Sequence, residues 1–159
     1  AYKKAPDSYI VLTNLGVSHL KHKNYDKSIE LLQKALETGG EKNYMAHTGL
    51  IGSYIAQGKL EDAADAIERA LKLYSRNAGL HSQLGIIYFQ LGKSELTERH
   101  FIIAMKLNPD DPISYFNIGV LYEGQNKSKE AAEYFQKVLS ISPEHQEARL
   151  RLTNIIKRP

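Results

Sequence analysis

The sequence predicts an all-α fold, an α-solenoid or superhelix of antiparallel helix hairpins with about nine helices. Three observations predict it. A pattern of residue types returns every 34 residues, apolar residues within each copy are spaced three and four apart, and small residues alternate with large ones at fixed positions. The copies are Tyr9–Lys42, Tyr44–Asn77, Ala78–Asp111 and Pro112–His145, with Asn43 read as one inserted residue.

Each copy reads as two helices. Asn14-Leu15-Gly16, Gln83-Leu84-Gly85 and Asn117-Ile118-Gly119 fall in one column of the first helix, where the second copy has Leu50-Ile51. Repeat position 11 holds His19, Tyr54, Tyr88 and Tyr122, and position 24 holds Leu32, Ile67, Phe101 and Phe135. The turns Lys23-Asn24, Gly58-Lys59, Gly92-Lys93 and Asn126-Lys127 separate the two helices, with Gly and Asn suited to a left-handed residue at the helix end. Asp111-Pro112 and Ser142-Pro143 are good helix starts, a capping side chain followed by a residue with no amide to leave unpaired.

The expected packing sets small residues (Gly16, Gly85, Gly119, Ala63 and Ala131) against rings and branched chains received from neighbouring copies. A single hairpin cannot bury its apolar face alone, so several must stack. After the fourth copy, Glu144–Lys157 reads as an amphipathic helix with Ala148, Leu152, Ile155 and Ile156 inward and Arg149, Arg151, Lys157 and Arg158 toward water. It reads either as a cap or as the first helix of a further pair, and the cap is preferred. Residues 1–159 are taken as one domain.

The composition excludes several classes of function. There is no cysteine, so disulfides, thiolate nucleophiles and Cys-held metals are out. With 21 Lys+Arg against 18 Asp+Glu, the net charge of +3 argues against nucleic acid or an anionic membrane as partner. No apolar run approaches the ~20 residues of a membrane span. The chain starts at Ala1, which reads as a mature product or an excised fragment; nothing in it assigns a compartment. His19 and His22 lie three apart, yet no partner nearby in sequence completes a metal set; His47 and His81 read as partly buried packing residues. No phosphate loop, nucleophile elbow or zinc-protease helix occurs, so no catalysis, metal or cofactor is expected.

These columns resemble the tetratricopeptide repeat (TPR) family, over Tyr9 to His145. The departures are Leu12, His47 and His81 in place of a first large aromatic, Ile51 in place of a small residue, and a first copy without the position-11 aromatic or a closing Pro. The resemblance implies that first helices form a concave wall from repeat positions 2, 5, 6, 9, 12 and 13. On that basis the peptide-binding candidates are Thr13, Asn14, Val17, Thr48, Gly49, Gly52, Gln83, Ile86, Phe89, Phe116, Asn117 and Val120. The same positions include Ile10, Met45, Ile55 and Ile113, and carry charge only at Lys21 and Glu123.

The two-carboxylate clamp of co-chaperones that grip heat-shock chaperone tails needs Lys and Arg at these places. This chain offers Thr13, Val17, Gly49, Gly79 and Gln83 in one register, and Thr48, Gly52, Gln83, Ile113 and Asn117 in the other. Chaperone-tail binding is therefore not expected. Asn14, Gln83 and Asn117 look like the asparagine ladder of the nuclear and cytoplasmic protein O-glycosyltransferase, although Asn is also common at this position of the motif. Gly49 and Gly52 either let helices approach or leave a hollow for a partner. The expected function is a non-catalytic adaptor or scaffold that binds an extended peptide or partner helix, neutral to apolar, in its groove. The alternative is a substrate-docking or regulatory segment of a larger enzyme or assembly. Self-association through the repeat ends is a third option, resting on Tyr2, Tyr9 and Leu12.

Overall fold

The computed structural model describes residues 8–157, and those residues hold nine α-helices and no strand. They are α1 (Tyr9–Lys21), α2 (Tyr25–Glu37), α3 (Tyr44–Ala56), α4 (Leu60–Leu73), α5 (Ala78–Gln90), α6 (Ser94–Leu107), α7 (Pro112–Gly124), α8 (Ser128–Ile141) and α9 (Gln146–Lys157). The all-α class is as expected. The chain forms two compact units, Ala1–Ser75 with α1–α4 and Arg76–Pro159 with α5–α9.

Start signals lie just before the first helix of a pair. The side chain of Asn43 accepts the amides of Met45 and Ala46, Asn77 that of Leu80, and Asp111 those of Ile113 and Ser114. Asn43 is thus the cap of α3 rather than an insertion. The extra residue belongs to the longer connection after α2, where Gly39 takes φ 103°. Within the hairpins the left-handed residues are Lys23 (φ 60°), Gly58 (φ 73°), Gly92 (φ 71°) and Asn126 (φ 60°). In the first turn the strained position is therefore Lys23, not Asn24.

The small residues of position 8 serve their own hairpin, which corrects the expectation that neighbouring copies fill them. A Cβ on Gly16 would lie 2.6 Å from Leu32 Cγ, one on Gly85 2.4 Å from Phe101 Cδ1, and one on Gly119 2.7 Å from Phe135 Cε1. In the first unit α1, α2 and α3 share a core of Leu12, Leu31, Leu32, Ala35, Ala46 and Leu50. A polar chain runs through it: Ser28 Oγ lies 2.8 Å from the Gly16 carbonyl and 2.8 Å from Ser53 Oγ, and Ser53 Oγ reaches the Gly49 carbonyl at 2.8 Å. In the second unit Ala131, Phe135, Val138 and Ala148 join α8 to α9, with Tyr115, Phe116 and Leu152 packed around them.

Three end-of-chain expectations change. Leu12 is buried against α2, whereas Leu15 on the same helix is exposed; its column mates Leu50, Leu84 and Ile118 are buried. Ile156 is 70% exposed rather than inward, while Leu152 and Ile155 pack on the α8 cluster. Arg151 is only partly exposed and ion-paired. Tyr2 and Arg158 lie outside the described residues.

Candidate functional site

The wall positions on α1 and α3 divide by burial. Thr13 is 2% exposed; its hydroxyl donates to the Tyr9 carbonyl at 2.7 Å and accepts Asn43 Nδ2 at 3.1 Å, so it has no surface to offer. Gly49 is buried too: a Cβ there would lie 3.1 Å from Leu32 Cδ1 and 3.3 Å from Val17 Cγ2. A Cβ on Gly52 would meet only Leu20 Cδ2, at 3.4 Å. Gly49 therefore serves packing, and the less crowded Gly52 is half-buried. Thr48 is half-buried, with its hydroxyl donated to the Met45 carbonyl. Asn14, Ile10, Met45 and Ile55 are exposed, and Val17 is half-buried.

On α5 and α7 more of the candidates face water. Gln83 and Ile86 are exposed, Phe89 is 46% exposed and Ile113 is 56% exposed. Asn117 and Val120 are half-buried, and Asn117 Nδ2 donates to Ser82 Oγ over a long 3.4 Å. Helical spacing explains the row: Gln83, Ile86 and Phe89–Gln90 recur every three or four residues on one face of α5, opposite the buried Leu84 and Tyr88. The result is apolar area interleaved with carboxamides, each able to donate and accept at once.

Phe116 is not an open anchor. His145 stacks on it with ring centres 4.9 Å apart, Phe135 lies at 5.7 Å, and the Arg151 guanidinium sits 5.7 Å from its ring centre. Arg151 reaches across from α9, donating to Glu123 Oε2 at 2.6 Å and to Glu147 Oε1 at 2.9 Å. Burial works against its charge, but the hydrogen bonds to the two carboxylates outweigh it and hold the guanidinium above its ordinary pKa. Sequence reasoning missed Arg151 at this wall. It occupies repeat position 6 if the count continues into α9, the column of Asn14, Gly49, Gln83 and Asn117.

Among the described residues there is no group of three or more His, Asp or Glu placed to hold a metal ion, and no helix is long and apolar enough to cross a membrane. His22, His47, His81, His100 and His145 are used in packing and hydrogen bonds. His47 Nε2 donates to the Glu41 carbonyl, and His22 Nδ1 lies 2.8 Å from the Ser18 carbonyl.

Three family models match the chain: "Tetratricopeptide repeat" over residues 76–144, "TPR repeat" over 53–92, and another "Tetratricopeptide repeat" over 1–46. The TPR repeat-containing protein MJ1428 of Methanocaldococcus jannaschii is 24% identical over 85% of this chain and 23% of its own length. The chain spans 20–23% of the length of MJ1428, of human Tetratricopeptide repeat protein 6 and of Anaphase-promoting complex subunit 3 of Schizosaccharomyces pombe. Among solved structures, the MamA protein superposes with a TM-score of 0.85 at 19% identity, covering 94% of this chain and 81% of that one. YrrB, described as a TPR protein with an unusual peptide-binding site, gives 0.79 at 22% identity over 96% of this chain and 78% of its own. The helix pairs, the 34-residue columns and these matches converge: the chain belongs to the tetratricopeptide repeat family and has the all-α fold of a TPR solenoid.

Proposed function

We propose that this chain is a protein–protein interaction module, a non-catalytic scaffold that holds a neutral to apolar peptide or partner helix. The single observation that carries the reading is the row on α5 and α7, where exposed Ile86, Phe89 and Ile113 run beside Gln83 and Asn117. Exposed rings and branched chains supply burial on contact, and the carboxamides satisfy a peptide backbone without selecting its side chains. The likeness to YrrB, whose description names a peptide-binding site, supports a peptide as the occupant. Asn14, Val17, Gly52 and Ile55 on the first unit offer a smaller surface of the same character.

The test selects peptides from a displayed library on the immobilised chain and measures the affinity of the best by calorimetry. Replacing Gln83 and Asn117 together by Ala is expected to weaken a peptide bound to the second unit about tenfold, and Gly52→Leu to weaken a peptide bound to the first. Unchanged affinity in both variants, with helical content intact, removes this wall as the site.

A second reading is favoured by one fact, that the chain spans about a fifth of MJ1428 and of two other curated relatives. The array then serves as the docking or regulatory segment of a larger enzyme or assembly. A transferase or hydrolase domain in the same reading frame supports it, and a frame holding repeats alone defeats it.

A further inference from the structure

Repeat positions 4, 11 and 23 lie together in the third and fourth hairpins, and there all three carry rings. The His100 ring centre is 5.3 Å from that of His81 and 5.7 Å from that of Tyr88. Tyr134 lies 6.5 Å from Tyr115 and 5.5 Å from Tyr122. In the second hairpin the same positions are His47, Tyr54 and Ala66. Two rings are present and the third is replaced by a methyl group, and a cavity of about 310 Å³ opens beside them.

The hollow lies among α2, α3 and α4. Its floor is His47, Leu50 and Ala66, all buried, and the Tyr54 hydroxyl at its side is fixed by Gln33 Nε2 at 2.9 Å. Its rim carries three carboxylates, Glu37, Asp62 and Asp65, against one guanidinium, Arg69. It opens on the face of α3 opposite Met45, Thr48 and Ile55, because residues 47, 50 and 54 and residues 45, 48 and 55 lie on opposite sides of a 3.6-residue turn. It is therefore separate from the wall described above.

We propose that this hollow binds an aromatic side chain of a partner peptide with a basic residue beside it. The ring takes the place that His100 and Tyr134 fill in the later hairpins, meeting His47 and Tyr54 in the stacked and tilted contacts that those two rings make with their neighbours. The positive charge answers the excess of carboxylates at the rim. A desolvated phenol next to Asp62 has its pKa raised at Tyr54, so Tyr54 stays a neutral wall for that ring.

The experiment follows backbone amide shifts of the ¹⁵N-labelled chain during titration with four probes. These are tyramine, p-cresol, 3-(4-hydroxyphenyl)propionate and an end-blocked Lys-Tyr-Lys peptide. Saturable shifts at Leu36, Leu50, Tyr54 and Ala66 are expected with tyramine and the peptide, at dissociation constants on the order of 1 mM. Binding should be about tenfold weaker for p-cresol and weaker again for the propionate, the spread shrinking in high salt. Ala66→Tyr, which supplies the ring in cis, should abolish the shifts; if that variant does not fold, Ala66→Leu, the residue type of this column at Leu31, serves the same purpose. Absence of saturable shifts, shifts that survive the filled variant, or equal binding of all three charges overturns the proposal. Tyramine binding without peptide binding overturns the assignment to a partner's side chain. None of these results depends on the wall of α5 and α7.

Discussion

A helix-interior glycine costs about 1 kcal/mol relative to Ala, so each one kept inside a helix asks for a reason. At Gly85 the reason is the Phe101 ring, which comes to 2.4 Å of where a Cβ would be. At Gly52 the nearest atom is the flexible end of Leu20, at 3.4 Å. Gly85→Ala is therefore expected to destabilise the fold by about 1–3 kcal/mol, because the ring must leave its rotamer. Gly52→Ala should stabilise it by up to about 1 kcal/mol through helix propensity. Urea midpoints of the two variants check the contrast. The columns alone could place both glycines on first helices, since Tyr9, Tyr44, Ala78 and Pro112 open their segments and are the first residues of α1, α3, α5 and α7. What they could not reveal is which small residue faces a ring. Nor could they show that Thr13 turns inward while Asn14, next to it, faces water, because that depends on where Asn43 and the Tyr9 carbonyl lie in space.

Between elements, α6 and α7 are joined by a short hydrogen bond in which Tyr122 Oη donates to Glu98 Oε1 at 2.5 Å. That bond, then burial and the Glu98 charge, push the phenol well above its ordinary value. In the unfolded chain a tyrosine gives up its proton near pH ~10, whereas in the fold Tyr122 keeps it. The unfolded state therefore loses protons first, and stability falls as pH rises above about 10. Tyr134, and Tyr54 in the first unit, shift the same way. Urea midpoints from about pH 8 to about pH 11 should decline for the parent chain and decline less for Tyr122→Phe. A slope identical in the two would show that the bond does not couple to folding. The same elements show where sequence reading stops. Position 11 identified Tyr122 as a packing ring, but Glu98, on the neighbouring helix, belongs to no apolar column and gave no sign of accepting from it.

For the whole molecule, charge is nearly balanced, at +3 over 159 residues. The wall positions carry charge at Lys21, Glu123 and Arg151, and the last two neutralise each other. A partner held on such a surface gains little from long-range attraction. Affinity of a selected peptide should change less than about threefold between ~0.05 M and ~0.5 M salt, whereas a charge-clamped ligand would weaken steeply. Calorimetry at the two salt concentrations decides it. The neutrality was legible in the residue list for the first four copies. The pairing of Arg151 was not, because the amphipathic pattern of α9 puts its arginines on the side away from the apolar stripe, and only the return of Arg151 to Glu123 and Phe116 places it at the wall.

The Ser28–Ser53 contact has one more consequence. Two greasy helices slide past each other with small penalties, trading one methyl for another. Here a slip of α3 along α2 by one turn, ~5 Å, would part the two hydroxyls at a cost of about 1 kcal/mol, each keeping its own carbonyl, Gly16 for Ser28 and Gly49 for Ser53. The pair acts as a shallow ratchet tooth: it adds little to the strength of the joint, yet it favours one register of the first two hairpins over its neighbours.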